Sequence, residues 1–344
     1  MVIPIQNIYY LLCYAWNKID ERDRVQISID DRTTLLDLFA KVLIGVTQRL
    51  LKRGIDKNYV DHTEELAGVK GKIQISETLK RNILHRQRTV CAYDVFSANI
   101  LPNQILVTTL YRLVNTHGLD KGLKGDLISL CRMLAGVDRI KINGSLFSQV
   151  KIHRNNRLYG FAMHICELIF DNMLPSEQPG KYSFADFTRD EKKMSTLFEA
   201  FVRNFYRIEQ QKYNVVRRET IKWNFEADDL ENMVYLPRME TDITLENDKE
   251  KMIIDAKYYR ETMTLRYNKR KIHPDNLYQL FSYILNQETD SDKTKGITGM
   301  LLYPTVNADY DLSYRFKDHT IQVRTVNLNT DWKNISARLL QLIG

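Results

Sequence analysis

The chain has 344 residues, which is more than one average domain, so two domains are the default expectation. It is 44% hydrophobic and 27% charged, an ordinary globular composition that leaves ample apolar material for a buried core. The formal net charge of +7 favours polyanionic partners without identifying one. No apolar run approaches the roughly 18 residues that span a bilayer, which excludes a transmembrane protein.

The N-terminus and the cysteine pattern indicate a cytoplasmic protein. The first residues lack the basic stretch and the cleavage site of a secretion signal. The cysteines form no CxxC pair and show no metal-ligand spacing, so we expect reduced thiols at Cys13, Cys91, Cys131 and Cys166.

The N-terminal half predicts a mixture of helices and strands. Residues 8–16 are apolar almost all round, which indicates a buried helix, and apolar residues recur at helical spacing over 35–51. Two glycines interrupt an alternating pattern over 66–75, which predicts a strand with a tight turn. This half shows no side-chain constellation typical of an enzyme. A further strand is expected at 89–96, and further helices up to about 116 and near 124–134 and 159–173.

A domain boundary is predicted at 174–180, where two prolines and a glycine fall within seven residues. The expected domains are therefore residues 1–178 and 179–344. The second domain has the more regular order, which predicts a mixed α/β sheet flanked by helices. Its helices are expected near 190–212, 273–286 and 331–343, and its strands near 215–223, 240–245, 251–258, 299–303 and 320–326.

Three charged side chains lie on the hairpin predicted from the strands 240–245 and 251–258. Side chains alternate faces along a strand, so Asp255 and Lys257 must point the same way, and Asp242 on the partner strand can join them. Paired carboxylates suit Mg²⁺, which stabilises phosphoryl charge and activates water, while the lysine could orient that water. The pattern therefore favours a metal-dependent nuclease, although an exposed hairpin with a salt bridge is the alternative.

Two neighbouring helices supply further candidates. On the helix near 273–286, Gln279 and Tyr283 follow a face different from the apolar one, and they could reach the same site and contact phosphate. The alternative is a solvated helix face. Glu199 is an acidic residue inside an apolar stretch, and it is either a third metal-binding carboxylate or a residue on the wet side of its helix.

Basic residues flank the predicted site along the chain. Lys and Arg bind phosphates without regard to sequence, although a charge run is usually only a solvated face. The chain has no GxxxxGK[ST] loop, so we do not expect it to hydrolyse nucleotides itself. The best candidates for DNA contacts lie in the loop predicted at 260–272 and are Arg266, Lys269, Arg270 and Lys271.

Taken together, Asp242, Asp255-Ala-Lys257 and Gln279-x-x-x-Tyr283 resemble the PD-(D/E)xK nuclease superfamily, in its branch with a QxxxY helix. The whole chain resembles the McrC family, the nuclease subunits of McrBC modification-dependent restriction systems. The superfamily name implies Pro-Asp, whereas Thr241 precedes the first aspartate here. The matching segments lie in both halves, at 3–16, 68–73, 190–194 with 197–202, 236–243, 254–259 and 276–280.

This resemblance implies an N-terminal α+β domain that docks on a separate AAA+ GTPase, the McrB hexamer, and a PD-(D/E)xK restriction-endonuclease-like domain. The partner would bind GTP and recognise double-stranded DNA containing modified cytosine, whereas this chain would use Mg²⁺ to cut both strands. Asp242 and Asp255 correspond to metal ligands, Lys257 to the catalytic lysine, and Gln279 to an active-site accessory. Glu199 is the less secure third ligand, because the family does not require an acid there.

Two other functions stay open from the residues alone. A stand-alone repair or recombination nuclease of the RecB-like kind would cut DNA with Mg²⁺ and without a partner or a nucleotide. A non-catalytic adaptor would only activate an AAA+ ring, and the intact set of Asp, Lys, Gln and Tyr side chains argues against it.

Overall fold

The structure is a computed structural model in which the chain divides into two compact units. Unit 1 comprises Met1–Thr33 and Asp186–Gly344, and unit 2 comprises Thr34–Ala185. No helix in the described part of the chain combines the length and hydropathy that a membrane span requires. The residues described are 3–21, 33–176, 178, 180–225, 230–259, 264–266, 269–287, 296–305 and 309–344.

Helices and strands alternate irregularly along the chain. The α-helices of the described ranges are α1 (Ile5–Ala15), α2 (Leu35–Arg53), α3 (Ile75–Lys80), α4 (Leu101–Val114), α5 (Lys121–Met133), α6 (Gly144–Gln149), α7 (Arg157–Asn172), α8 (Glu191–Glu209), α9 (Pro274–Leu285) and α10 (Trp332–Ile343). The strands there are β1 (Asn58–Leu66), β2 (Lys72–Ile73), β3 (Thr89–Ser97), β4 (Met173–Pro175), β5 (Tyr182–Phe184), β6 (Val215–Arg217), β7 (Thr220–Ile221), β8 (Met239–Glu240), β9 (Ile243–Glu246), β10 (Lys251–Ala256), β11 (Thr264–Arg266), β12 (Lys269–Lys271), β13 (Ile297–Thr305), β14 (Asp311–Phe316) and β15 (His319–Asn327).

The centre of unit 1 is a mixed sheet in the order β14-β15-β13-β10-β9-β6. The strands β10, β13 and β15 run parallel, whereas β14, β9 and β6 pair antiparallel with their neighbours. Parallel neighbours need a crossover connection, and α9 lies between β10 and β13 in the chain. The predicted mixed sheet flanked by helices is therefore confirmed, and its central strands are buried on both sides.

The helix α9 packs against β10 and β13 through a buried apolar cluster. Leu280 and Ile284 of α9 meet Ile253 of β10 and Leu301 of β13 there. Gly299 allows this close approach, because an added Cβ would lie 2.6 Å from Ile284 Cδ1. The apolar face of α9 thus fixes the position of its other face relative to the end of β10.

An aromatic cluster joins α1, α8 and α10. Trp332 of α10 stacks on Tyr14 of α1 with 5.3 Å between ring centroids, and it meets Phe201 of α8 edge-on at 5.7 Å. Asn204 Nδ2 of α8 also donates to the carbonyl oxygen of Tyr14 at 2.9 Å. The first helix therefore packs with the C-terminal residues, whereas the sequence analysis placed it in a domain of residues 1–178. The break between the units also falls at residues 185 and 186 rather than at 178 and 179.

Unit 2 combines a helical layer with a small antiparallel sheet. The helix α2 packs on α5 and α7, α4 packs on the same two helices, and the sheet has the order β1-β3-β2. The tight turn predicted within 66–75 is present, because Gly71 has a φ of 68° and an added Cβ there would lie 2.5 Å from Ala92 O. The strand itself ends at Leu66, and β2 resumes the pairing at Lys72.

The cysteines are free thiols, as the spacing predicted. Cys13, Cys91 and Cys166 are buried, and Cys131 is half-buried. Burial raises the pKa of the Cys166 thiol to about 12, so it stays protonated and behaves as a core side chain.

Candidate active site

Asp242, Asp255 and Lys257 meet at the carboxyl end of β10. Asp255 lies near that end of the strand, and Asp242 directly precedes β9, the antiparallel neighbour. Asp242 Oδ2 accepts a hydrogen bond from Ala256 N at 3.0 Å, which fixes its carboxylate beside the strand. Lys257 Nζ lies 3.1 Å from Asp255 Oδ1 and 4.0 Å from Asp242 Oδ2. The alternation of side chains along the hairpin did indicate this convergence.

The site combines carboxylates that are difficult to ionise with a lysine that stays charged. Asp255 is completely buried. Burial raises the pKa of Asp255 to about 7; Lys257 opposes this shift, and Asp242 adds to it. Burial also raises the pKa of Asp242. The pKa of Lys257 is raised in spite of burial, because the two aspartates stabilise its ammonium form.

The Asp255 carboxylate has the chemistry of a metal ligand. Apart from its contact with Lys257, neither of its buried oxygens has a hydrogen-bond partner in the described structure. A buried polar group left unsatisfied costs about 1–3 kcal/mol, and a charged group costs more. A divalent cation would satisfy these oxygens and remove the repulsion between Asp255 and Asp242.

The donor set fits Mg²⁺ better than a metal that needs a closed protein cage. Mg²⁺ binds through one or two carboxylates and keeps several waters, which Asp242 and Asp255 can provide. Among the described residues, no group of three His, Cys, Asp or Glu side chains lies close enough together to form a metal cluster by itself. Asp242 and Asp255, with waters at the remaining positions, would be enough to hold such an ion.

Glu199 of α8 lies within electrostatic reach of the two aspartates. Burial raises the pKa of Glu199, the charge of Asp242 raises it further, and Lys257 opposes the shift. Its Oε1 accepts a hydrogen bond from Ser195 Oγ at 3.2 Å, and its Oε2 lies 3.7 Å from Arg218 Nη2. Glu199 therefore faces the site but is held by a serine and an arginine, and its role as a metal ligand stays a prediction.

Gln279 and Tyr283 of α9 form one hydrogen-bonded unit. Gln279 Nε2 donates to Tyr283 OH at 2.6 Å, and that hydroxyl donates to the carbonyl oxygen of Glu240 at 2.9 Å. Burial raises the pKa of Tyr283, and the charge of Asp255 adds to the shift. Tyr283 thus ties α9 to the segment that carries Asp242 and orients Gln279, so it is a positioning residue here. Gln279 is the exposed member of the pair.

Two arginines next to the acidic groups had no individual role in the sequence analysis. The charge of Arg218 acts on both Asp242 and Glu199 and lowers the pKa of each, against the larger effect of burial. Arg203 Nη1 donates to the carbonyl oxygen of Asp242 at 3.4 Å. Both residues belong to a basic run, so only their place beside the carboxylates distinguishes them from ordinary surface charges.

A second buried contact supports α9 from the other side. Asn276 Nδ2 donates to Tyr303 OH of β13 at 3.0 Å, and both residues are buried. Burial raises the pKa of Tyr303 to about 12, and the charge of Asp255 contributes to this shift. Asn276 lies three residues before Gln279 on α9 and therefore on the same helix face, whereas no sequence signal linked Tyr303 to the site.

The basic residues predicted to contact DNA lie on a short antiparallel hairpin instead of a loop. The hairpin is formed by β11 and β12, and the segments 260–263 and 267–268 lie outside the described residues. The side chains of the hairpin also lie outside them, so their contact with DNA stays a prediction. The residues concerned are Arg266 on β11 and Lys269, Arg270 and Lys271 on β12.

Comparison with known proteins gives concordant results. A family model described as McrBC 5-methylcytosine restriction system component matches residues 6–304. The type IV methyl-directed restriction enzyme EcoKMcrBC of Escherichia coli strain K12 is 33% identical over 341 residues, which cover 99% of this chain and 97% of that relative.

The fold also has a counterpart among solved structures. A chain of the refined half-complex from the tetradecameric assembly of Thermococcus gammatolerans McrB AAA+ hexamers with bound McrC superposes with a TM-score of 0.58 at 15% identity. The match covers 98% of this chain and 76% of that chain. At that identity the superposition shows a shared fold, and the family follows from the sequence matches. The resemblance found in the sequence is confirmed, and the chain belongs to the family of McrBC 5-methylcytosine restriction system components.

Proposed function

We propose that this chain is the Mg²⁺-dependent DNA endonuclease subunit of a GTP-dependent restriction complex directed at modified cytosine. The observation that carries the proposal is the buried Asp255 carboxylate, which lies beside Asp242 and has no polar partner among the described residues apart from its contact with Lys257. A structural ion pair needs one carboxylate for one lysine, and a second buried carboxylate only adds repulsion. Two carboxylates and a lysine are, by contrast, a donor set suited to phosphodiester hydrolysis.

Asp242 and Asp255 would hold the metal ion. Bound Mg²⁺ supplies a Lewis acid that stabilises phosphoryl charge and lowers the pKa of a water. Because the pKa of Asp255 is about 7 without a cation, its ionisation near neutral pH is incomplete until positive charge compensates it. Metal binding and loss of this proton are therefore coupled.

Lys257 acts as a charge and a hydrogen-bond donor rather than as a general base. Its pKa is raised by the two aspartates, so it keeps its proton throughout the physiological range. As the water oxygen bonds to phosphorus and the ester bond to the leaving oxygen breaks, the ammonium group counters the charge that develops on the phosphoryl oxygens. Gln279, oriented by Tyr283, presents an exposed amide that can bind phosphate or water.

An AAA+ GTPase ring is the proposed partner, and unit 2 is the proposed docking part. The Thermococcus structure contains McrB AAA+ hexamers with bound McrC, and the present sequence has no phosphate-binding loop of its own. The sheet and neighbouring helix of unit 2 expose large apolar side chains, which is typical of protein interfaces. These side chains are Tyr59, Val69, Ile75, Leu79 and Phe96.

The proposal is tested by reconstitution with the cognate AAA+ GTPase, GTP, Mg²⁺ and a plasmid that carries methylated cytosine. Asp255→Ala and Lys257→Ala should each lower the cleavage rate at least about 100-fold, since each removes charge stabilisation at the reacting phosphate. Stimulation of GTP hydrolysis by the partner should persist in both variants. Asp248→Ala, an exposed residue of the turn after β9, is the matched control and should cleave normally.

Three outcomes would contradict the proposal. Undiminished cleavage by both site variants would show that the chemistry lies elsewhere. Cleavage of unmodified DNA by the purified chain with Mg²⁺ alone would favour a stand-alone nuclease. Stimulation of the GTPase without cleavage of any DNA by the wild-type chain would favour a non-catalytic adaptor.

A further inference from the structure

Unit 2 contains a groove of about 960 Å³ that takes no part in the proposed nuclease site. One wall is a face of α4, the second is the segment 135–141 that follows α5, and Tyr182 of β5 contributes to the lining. Ligand sites typically occupy about 300–1,000 Å³, so the groove is large enough for more than a single ion.

Three cations converge on this groove. They are Arg112 of α4, and Arg139 and Lys141 of the following segment. Arg139 stacks 4.2 Å above the ring centroid of Tyr111, and Arg112 lies 5.7 Å from that of Tyr182. None of the three cations forms an ion pair with a carboxylate within the described ranges. Their charge is therefore available to a ligand.

The segment that carries two of the cations is anchored to α4 and to the connection between β3 and α4. Ile140 N donates to Thr108 Oγ1 of α4 at 3.0 Å. Asp138, the acidic residue of the lining, accepts from Asn99 Nδ2 at 2.5 Å, and its own backbone N–H donates to Asn99 Oδ1 at 2.9 Å. The groove is thus formed before a ligand arrives, and its carboxylate is already engaged.

We propose that this groove binds the phosphates of a nucleic-acid strand. A guanidinium stacked on a ring keeps its edge donors for a phosphate, and it loses little freedom on binding. Unpaired cations next to aromatic rings are the combination that binds single strands, since the cations follow the backbone and the rings stack on bases of any sequence. Arg112, Arg139 and Lys141 contact the phosphates, and Tyr111 and Tyr182 contact the bases.

This binding goes beyond the proposed nuclease function, because it belongs to unit 2 and needs neither Mg²⁺ nor cleavage. The polyphosphate of a free nucleotide offers the same chemistry as a strand. A competition measurement separates these two sources.

The test is fluorescence anisotropy of a labelled oligothymidylate of about 20 nucleotides, long enough to span a typical single-strand site. It uses the full-length chain in EDTA, so that no cleavage occurs. The variant Arg139→Ala/Lys141→Ala should bind at least about 10-fold more weakly, and its salt slope should fall by about 1.4, which corresponds to two lost phosphate contacts. The control Lys52→Ala/Arg53→Ala removes the same charge from the exposed end of α2 and should lose less than about 2-fold.

Equal losses in the two double variants would overturn the proposal, because only net charge would then matter. Displacement of the strand by free GTP as effectively as by unlabelled oligonucleotide would assign the groove to a nucleotide and would also overturn it. Photocrosslinking to a strand containing 5-iodouracil provides a second measurement on the wild-type chain. Adducts at Tyr111 or Tyr182 are expected, and adducts confined to peptides outside the groove would contradict the assignment.

Discussion

Replacing Asp255 with asparagine should stabilise the metal-free protein at alkaline pH, and it should abolish binding of Mg²⁺ at the proposed metal site. The carboxylate is completely buried, and its pKa rises from 3.8 to about 7 because burial and Asp242 outweigh the attraction of Lys257. Because the folded state binds this proton more tightly than the unfolded state, protonation favours folding. Stability is therefore greatest at low pH with respect to this group, falls as pH rises from about 4 to about 7, and is flat above that range.

The magnitude follows from the size of the shift. About three pKa units at about 1.36 kcal/mol each give a loss of about 4 kcal/mol between the protonated and ionised limits. About 3 kcal/mol of this loss falls between pH 5 and pH 8. Asparagine has nearly the same shape and does not ionise, so the Asp255→Asn variant should not show this loss.

Denaturant unfolding in EDTA at pH 5 and pH 8 measures the difference directly. Asp255→Asn should be the more stable protein at pH 8, and its advantage should shrink by about 3 kcal/mol at pH 5. Added Mg²⁺ should stabilise the wild type at pH 8 and leave the variant unchanged. The exposed Asp248→Asn is the control and should match the wild type throughout. A variant that is less stable than the wild type by the same amount at both pH values would refute the reasoning, since Asp255 would then be a satisfied ion pair.

Three further substitutions test contacts within unit 1, and the control for the third of them lies in unit 2. Tyr283→Phe removes the hydrogen bond that links α9 to the segment before Asp242, so the free energy of unfolding in denaturant should fall by about 1–2 kcal/mol. Cleavage should also slow, while stabilisation by Mg²⁺ persists. A normal cleavage rate would contradict the positioning role of Tyr283. Lys251→Ala removes the more buried of the two cations paired with Glu219 and leaves only the exposed Arg217, which should cost about 1–3 kcal/mol at pH 7. Burial raises the pKa of Glu219, but the charge of Lys251 outweighs burial and lowers that pKa. The stabilisation from this ion pair is therefore lost as pH falls through the lowered pKa. If the Lys251→Ala variant were as much less stable than the wild type at pH 3 as at pH 7, this account would be wrong. Gly299→Ala should overpack the contact with α9, which should cost about 1–3 kcal/mol of stability and lower the thermal midpoint. Gly125→Ala is the control, because an added Cβ there meets open space, and its thermal midpoint should not fall.

The periodic spacing of apolar residues predicted those helices and strands that bury one regular face in the core. The strand β10 and the helix α9 were identifiable because their apolar residues recur with the period of a strand and of a helix. The strand β1 was missed because its exposed residues show no apolar alternation, so its order comes from pairing with β3. The same is true of β14, which is exposed over most of its length and pairs with β15. Pairing across the chain leaves no signature in such a polar segment.

The assignment of α1 to unit 1 depended on contacts that no local pattern contains. Its sequence showed a buried helix, but not the partner that buries it. Trp332 meets Tyr14 across more than three hundred residues of chain, and Asn204 caps the end of the helix through a backbone carbonyl. The prolines and the glycine at 174–180 suggested the domain boundary, since such residues mark where a chain turns. They do not indicate which helices and strands pack together.

The candidate site was predictable where it depends on strand geometry and incomplete where it depends on tertiary packing. Asp255 and Lys257 share a face because side chains alternate, which holds for any strand. The separate roles of Gln279 and Tyr283 could not be predicted, because they depend on tertiary contacts. The Tyr283 hydroxyl donates to a backbone carbonyl, so Gln279 is the group that stays exposed. Tyr303 enters through the parallel neighbour β13, and nothing in the sequence fixes which strand becomes that neighbour.

The burial of Asp255 would make ionisation of the proposed metal site depend on the bound cation. An exposed aspartate pair would be ionised at neutral pH in any case, and its affinity for Mg²⁺ would hardly change with pH. A completely buried aspartate beside a second one holds a proton up to a pH of about 7 and releases it when positive charge arrives. Lys257 supplies part of that charge but not enough, because the pKa of Asp255 stays raised with the ion pair in place. The negative charge of Asp255 that Lys257 leaves uncompensated favours a divalent cation. For the same reason, the metal-free protein should lose stability over the pH range in which its affinity for Mg²⁺ rises.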